Sequence, residues 1–461
     1  MLVQSWSSLM DLGLSPTLGR QVSYVRGSGL EFHSLLRLLR SFELIFVFLA
    51  MLSGIAFLLS NNWIASNWIA SDNLGIDVIS YSLALMALMV GLRWFSSLYR
   101  GGIEGFEDQI WLNKVIVLLS CLRYIGSLII IAYFDGDIRA FFEYQLFIGC
   151  VEPIILYRRL HKKLRQNGSI SASLSFDWAE VKRVMPYALS VAYSAMAWAF
   201  VTQTDRLILS GTITLAEYGN FTLLALVSSG ITLMSTPVGQ ALRPRLTVLF
   251  SSKDHVQFVH LYKNTSKFVT WLAFSSAIIV GLYAEALLFA FAGNREAAGW
   301  GSEILIWFAL GNAFLAISTL QYHLQSAIGD LRLHVKLATI MAITQVPIIT
   351  FAVLNYGVLG AGIVWFFLRL VFFLFWTMIV HRKFLPRFHS SWLIKDIIPT
   401  IIISLLVGII IHYFLPLSLE TNRAILLFKL LLLGSLQLFV SAIILLPLNF
   451  MGLKISIGNK A

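Results

Sequence analysis

The sequence predicts an all-α polytopic membrane protein, and three observations carry that prediction. Hydrophobic residues make up 58% of the 461 positions and charged residues only 12%, a balance outside the range of soluble globular domains. The apolar residues fall into runs of roughly 20, the length that an α-helix needs to cross ~30 Å of hydrocarbon. Lysines and arginines lie in alternate connections between the runs, which is the positive-inside pattern of membrane proteins.

The apolar runs predict thirteen spans, of which the first is incomplete. Residues 1–18 are only weakly apolar and contain Asp11 and Pro16. The other twelve are predicted at about 41–60, 76–97, 113–133, 138–157, 186–209, 218–241, 268–291, 302–325, 335–353, 358–380, 396–415 and 424–447. Basic loops are predicted at 19–40 and 158–183, and the second, the longest, is the expected boundary between two lobes.

Charge placement predicts the orientation. With loop 19–40 in the cytoplasm, the C-terminus, which carries Lys454 and Lys460, is also cytoplasmic. The few cations assigned to the outer side are Arg139, Arg295, Arg423 and Lys429. The net charge of +11 therefore reflects topology and not binding of nucleic acid. An odd number of spans places Met1 outside, so we expect a helix upstream of it to be missing, through a mis-called start or a truncated reading frame.

The sequence offers no sign of an enzyme or of a nucleotide-driven pump. Cys121 and Cys150 both lie within apolar runs and indicate neither a disulfide framework nor a metal site. The glycine stretches lack the phosphate-loop motif with Lys and Ser/Thr. No cofactor is expected, and transport would be passive or coupled to H⁺ or Na⁺, with Asp205, Glu152 and Glu285 as the candidate ion-binding residues.

Three stretches resemble the bacterial oligosaccharide flippases, the O-antigen translocases of the polysaccharide transporter family. Met10–Arg20 (MDLGLSPTLGR) is similar to the end of the second helix of that family. Ser97–Ile110 (SLYRGGIEGFEDQI), the most specific, is similar to the stretch after its fourth helix. Gln203–Ser210 (QTDRLILS), with Glu217-Tyr-Gly following, resembles the seventh helix. A weaker fourth resemblance covers Gln321–Lys336. The family belongs to the superfamily of multidrug, oligosaccharidyl-lipid and polysaccharide exporters.

The resemblance implies a fold and a function. Two six-helix lobes, related by an axis along the membrane normal, enclose a central cavity and are followed by two extra helices, a recurrent transporter plan. The implied domains are 1–165, the N-terminal lobe without its first helix; 166–381, the C-terminal lobe; and 382–461, two additional helices and a cytoplasmic tail. The implied function is movement of undecaprenyl-pyrophosphate-linked oligosaccharide across the bacterial inner membrane by alternating access. Membrane lipids, an O-antigen polymerase and a chain-length regulator are the implied partners.

A lipid-linked oligosaccharide brings an anionic pyrophosphate into a slab where bare charge is prohibitive. Guanidinium groups can neutralise it and match its oxygens bidentately. Arg123 and Arg369 lie near the middle of their predicted spans and are the first candidates, because intramembrane charges are functional by default. The alternative for each is an ion pair that only supports packing. The carboxylates available as partners are Glu152, Glu143, Glu285 and Asp11.

Other charges near the spans are candidates with stronger structural alternatives. Asp205 and Arg206 come late in their helix, so we assign them to the outer part of the cavity or its gate, or to a structural contact. Arg93 is interpreted as an interfacial anchor. Arg100 is a candidate for the cytoplasmic entrance, although the glycines after it favour a structural turn.

Two other functions are considered. An ion-coupled exporter of drugs or other small molecules belongs to the same superfamily, but a cavity for cationic drugs should carry net acidity. A membrane O-antigen polymerase would need sizeable outer loops with polar catalytic residues, and the outer loops here are short.

Overall fold

The computed structural model describes residues 11–29, 33–67, 76–167, 176–417, 419 and 422–445, and within these ranges the chain is helical, without a strand. The first seven helices are α1 (Leu14–Ser28), α2 (His33–Asn67), α3 (Ile76–Gly105), α4 (Gln109–Tyr133), α5 (Ile138–Gln166), α6 (Trp178–Thr212) and α7 (Leu215–Ser251). The rest are α8 (His255–Leu282), α9 (Ala284–Ala292), α10 (Arg295–Ile328), α11 (Arg332–Val371), α12 (Thr377–Phe384), α13 (His389–Trp392), α14 (Ile398–Phe414) and α15 (Arg423–Leu445). Single π-helical turns, Phe372–Trp376 and Leu393–Ile397, join α11 to α12 and α13 to α14.

Eleven helical segments of the described ranges are long and apolar enough to cross a membrane, so the chain is a multi-pass membrane protein. The longest, Arg332–Phe384, has 53 residues and reverses direction at Gly357, whose φ of 60° and ψ of −147° are not helical. The Ala352 carbonyl lies against the Cα of Gly360, whereas residues eight apart in a straight helix are about 12 Å apart. The segment is therefore an antiparallel hairpin, and the two spans predicted at 335–353 and 358–380 are confirmed.

The predicted basic loops are wrong in extent, because most of their residues are helical. The 19–40 loop is occupied by the last ten residues of α1 and the first eight of α2, and α5 continues through the basic stretch of the 158–183 loop to Gln166. Hydropathy indicates where a helix leaves the lipid, not where it ends, and Arg and Lys are good helix formers in water. Most of the predicted first span, 1–18, lies outside the described residues.

One predicted span is divided in the structure. Residues 268–291 were expected to form a single crossing, but α8 ends at Leu282 and a short helix, α9, begins at Ala284. Tyr283 between them has φ −112° and ψ 28°, which breaks the helical path.

The chain divides into two compact units. Unit 1 comprises residues 1–196, 243–254 and 326–331, and unit 2 comprises 197–242, 255–325 and 332–461. The implied lobes at 1–165 and 166–381 remain a prediction.

Unit 1 is centred on α3, against which α1, α2 and α5 pack. The backbones of α1 and α3 approach closely where Gly19 and Gly101 face each other, and a methyl group on either would overlap the backbone of the opposite helix. Small residues permit such backbone contact between membrane helices. This contact also corrects the expected turn at Arg100, because Arg100, Gly101 and Gly102 all lie inside α3.

In unit 2, the last two membrane helices pack against α8. Gln437 on α15 donates a hydrogen bond of 2.8 Å to the backbone carbonyl of Ser404 on α14. The Ser404 hydroxyl accepts one of 3.1 Å from Ser275 on α8. All three side chains are fully buried, so a polar interhelical cluster ties α14 and α15 to this unit.

Candidate functional site

Two arginines of unit 1 converge on one buried carboxylate. Glu152 lies 14 residues from both Ile138 and Gln166, the ends of α5, which corresponds to about 21 Å along the helix. One of its carboxylate oxygens accepts a hydrogen bond from Arg100 on α3, and the other accepts one of 3.1 Å from Nη2 of Arg123 on α4. Only 7% of the Glu152 side chain is exposed. The structure thus brings together three candidates from the sequence, Arg100, Arg123 and Glu152. For Arg123 the ion pair that the sequence analysis gave as an alternative is present.

A third arginine, Arg93, belongs to the same cluster and was not assigned to it from the sequence. It lies seven residues before Arg100 on α3, which is about two turns and places both on one face. A cavity of ≈ 10 Å³, roughly the size of one water molecule, is lined by Met89, Arg93, Ser96, Arg123, Gln145, Gly149 and Glu152. The spacing of Arg93 and Arg100 was the signal that could have identified Arg93, but it was interpreted as interfacial anchoring.

The arginine cluster, defined as Arg93, Arg100, Arg123 and Glu152, carries excess positive charge. Three guanidinium groups against one carboxylate leave two positive charges uncompensated within the cluster. Glu104, one turn beyond Arg100, forms its own ion pair of 2.9 Å with Arg243. Each arginine at membrane depth costs about 2.5–3.5 kcal/mol or more, and an anion in contact with the cluster would offset part of that cost.

Hydrogen bonds between α4 and α5 hold the backbone at Arg123. The Ser127 hydroxyl donates to the Arg123 carbonyl at 2.6 Å and accepts from Gln145 Nε2 at 2.7 Å. The Tyr144 hydroxyl on α5 donates to an α4 carbonyl at 2.7 Å. It can reach that carbonyl because Gly126 has no side chain; a methyl group there would overlap the hydroxyl. The position of Arg123 against Glu152 therefore depends on this close contact.

Arg369, the second mid-membrane candidate, is enclosed within unit 2. Its guanidinium carbon lies 4.2 Å from the ring centroid of Trp365 and 5.0 Å from that of Trp198. Nη2 donates a hydrogen bond of 3.2 Å to Oε1 of Gln345, and Gln345 donates one of 3.0 Å to the Val201 carbonyl on α6. Arg369 is only 2% exposed. We call Arg369, Trp198, Trp365 and Gln345 the arginine cage; it joins the two arms of the hairpin to α6, and a role of Arg369 in substrate binding remains a prediction.

The remaining candidates lie apart from both clusters. Arg206 is exposed and six residues before Thr212, the end of α6, which agrees with its predicted place late in that helix. The side chain of Asp205 lies outside the described residues. Glu285 is exposed in the first turn of α9. Ion coupling through either carboxylate remains a prediction.

Unit 1 contains a second charged region, at helix ends predicted to be cytoplasmic. Arg20 on α1 donates hydrogen bonds of 2.8 Å and 3.1 Å to the carbonyls of Ser326 and Ile328 at the end of α10. Unpaired carbonyls at a helix C-terminus accept such bonds from cations. Gly329 follows with φ +88°, and a methyl group there would overlap the Arg20 guanidinium. Arg243 near the end of α7 pairs with Glu104 near the end of α3.

Comparison with solved structures shows the fold. A variant of the MATE transporter VcmN from Vibrio cholerae has a TM-score of 0.71 at 13% identity, over 83% of this chain and 86% of that one. The chain has the fold of the MATE transporters. A multidrug resistance MATE family transporter of the MOP superfamily, in its outward-facing conformation, has a TM-score of 0.65 at 15% identity, over 81% and 85%.

A third structure with this fold is a MOP superfamily transporter from Pyrococcus furiosus, for which reverse polarity of the binding pocket suggests a different function. Its TM-score is 0.65 at 13% identity, over 82% of this chain and 86% of that one. No known protein family matches the sequence, and no characterised protein matches it by sequence. At these identities the likeness is one of fold, and the substrate must be argued from the side chains.

Proposed function

We propose that the chain is a membrane transporter that moves an anionic, lipid-linked oligosaccharide from the cytoplasmic to the periplasmic leaflet by alternating access. The observation that carries this proposal is the arginine cluster, where Arg100 and Arg123 share the single carboxylate of Glu152 and Arg93 lines the adjoining cavity. Such an excess of guanidinium groups within membrane-spanning helices favours a phosphate-bearing substrate. The undecaprenyl-pyrophosphate carrier is implied by the resemblance to the oligosaccharide flippases.

The second candidate is export of drugs or other small molecules, and the comparisons favour it. The solved structures with this fold include a multidrug resistance transporter, and fold likeness supports that function more directly than it supports movement of glycan. The charges favour the anionic substrate instead. Glu152 would be the natural partner of a cationic drug, but both of its oxygens are already occupied by arginines.

Complementation distinguishes the two candidates. The chain and its Arg123→Ala variant are expressed in a strain lacking its oligosaccharide flippase and in a strain lacking its drug exporters. We expect the unmodified chain to restore surface glycan in the first strain, the variant to fail there, and neither to lower the toxicity of a cationic dye in the second. Dye resistance without surface glycan, in host strains with different repeat units, would replace the flippase proposal with drug export.

A further inference from the structure

Glu152 occupies the place that an anionic substrate would need. Both of its carboxylate oxygens accept from arginines, one from Arg100 and the other from Arg123. The adjoining cavity of ≈ 10 Å³ holds about one water molecule, so the enclosed space next to the carboxylate is smaller than a phosphate group. A phosphate can take over the hydrogen bonds that Arg100 and Arg123 donate to Glu152 only if Glu152 releases them.

The helix that carries Glu152 is weakened at that residue. Pro153 follows directly and lies inside α5, so the hydrogen bond that residue 153 would donate to the Gly149 carbonyl is absent. Gly149 lines the same cavity as Glu152. A missing helical bond at this point lowers the cost of bending α5 and of turning Glu152 away from the arginines.

We propose that Glu152 is an internal counter-anion, which holds Arg100 and Arg123 while the transporter is empty and gives them up to the phosphate of the substrate. This inference rests on the proposed function, because it requires an anionic substrate. It adds a specific exchange: one carboxylate leaves two guanidinium groups as a phosphate arrives, and returns when the phosphate departs. The membrane-buried arginines then keep an anionic partner in both states, which avoids leaving them uncompensated.

The exchange predicts opposite effects on binding and on turnover. Glu152→Gln removes the competing charge at nearly constant volume, so a phosphate ligand no longer has to displace an ion pair. Loss of one competing charged hydrogen bond corresponds to an affinity about tenfold to a hundredfold higher. Release becomes slower for the same reason, and the empty transporter lacks its counter-anion. We therefore expect transport by the variant to fall although its ligand binds more tightly.

The test measures binding to the purified full chain in lipid nanodiscs, with farnesyl pyrophosphate as the probe. The matched control is Glu143→Gln, on the same helix, where an exposed Glu143 accepts a hydrogen bond of 2.9 Å from Tyr81; its affinity should equal that of the unmodified chain. Arg123→Ala should lose binding. Phosphatidylglycerol titrated into neutral nanodiscs serves as a second anionic probe. We expect Glu152→Gln to raise the affinity for farnesyl pyrophosphate and to leave the affinity for phosphatidylglycerol unchanged.

Thermal stability of each variant in the same nanodiscs shows whether it folds. If Glu152→Gln does not fold, Glu152→Asp supplies the test, because a shorter carboxylate retains the charge but loses contact with one arginine and should bind the probe more tightly than the unmodified chain. The inference is overturned if Arg123→Ala weakens binding while the Glu152 variants bind the probe no better than the unmodified chain, or if the gain appears with phosphatidylglycerol alone. If the unmodified chain and every variant bind no pyrophosphate, the proposed function itself fails.

Discussion

Replacement of Arg369 by alanine separates a structural role of the arginine cage from a role in substrate binding. The guanidinium lies 4.2 Å and 5.0 Å from two indole centroids, and each such contact contributes about 0.5–2 kcal/mol. The hydrogen bond to Gln345 comes from a charged donor and contributes about 1.5–3 kcal/mol. We therefore expect Arg369→Ala to lower the free energy of unfolding by about 2.5–7 kcal/mol.

The assay is thermal unfolding of the purified protein in nanodiscs, followed by tryptophan fluorescence, since Trp198 and Trp365 form the cage. For a chain of 461 residues, a loss of that size corresponds to a fall in Tm of roughly 3–7 °C. Arg369→Met is the matched control: it fills much of the space and removes the charge, so we expect a smaller fall because a buried charge also carries a desolvation cost. An alanine variant with an unchanged Tm but no transport would refute the structural reasoning and assign Arg369 to the substrate.

Three further predictions concern close contacts in unit 1. Gly126→Ala should lower the free energy of unfolding by about 1–3 kcal/mol through overlap with the Tyr144 hydroxyl. A second change, Tyr144→Ala, should restore part of this stability. If the two substitutions have additive effects on stability in the double variant, the contact is contradicted. Glu104→Gln should lower expression and stability, because it removes the carboxylate that lies 2.9 Å from Arg243. The double variant Glu104→Arg with Arg243→Glu restores an ion pair and should recover most of the lost stability. A double variant that recovers no stability would disprove the pairing. Gly329→Ala should lower Tm through its φ of +88° and its overlap with the guanidinium that caps α10, and an unaltered Tm in a melting experiment would count against that cap.

The sequence was sufficient to predict the class of fold and the position of most spans in the described residues, the divided span at 268–291 excepted. Apolar runs long enough to cross the bilayer predicted even the break at Gly357, because the stretch around it is less apolar than its two flanks. The helix ends were missed, since Arg and Lys at the end of α5 favour the helix in water as much as they oppose burial in lipid. The predicted loop 158–183 therefore begins inside a helix.

The candidate site was predictable in part. Arg123 and Glu152 were identified because a charge within an apolar run is conspicuous. Their pairing was only one alternative among several, since which helices are neighbours depends on tertiary packing and not on local pattern. The proximity of Arg93 to this pair was not predicted for the same reason. The surroundings of Arg369 could not be predicted either, because Trp198 lies on α6, far away along the sequence.

The tight reversal at Gly357 has a consequence for how the chain enters the membrane during synthesis. Alone in a nascent helix, Arg369 would impose its full charge on the lipid, a cost of about 2.5–3.5 kcal/mol or more at the centre of a span. In the hairpin, Gln345 and Met341 on the preceding arm already contact its guanidinium. Insertion of the second arm into the lipid is therefore unfavourable by itself and more favourable together with the first arm. The two arms are expected to insert as a pair.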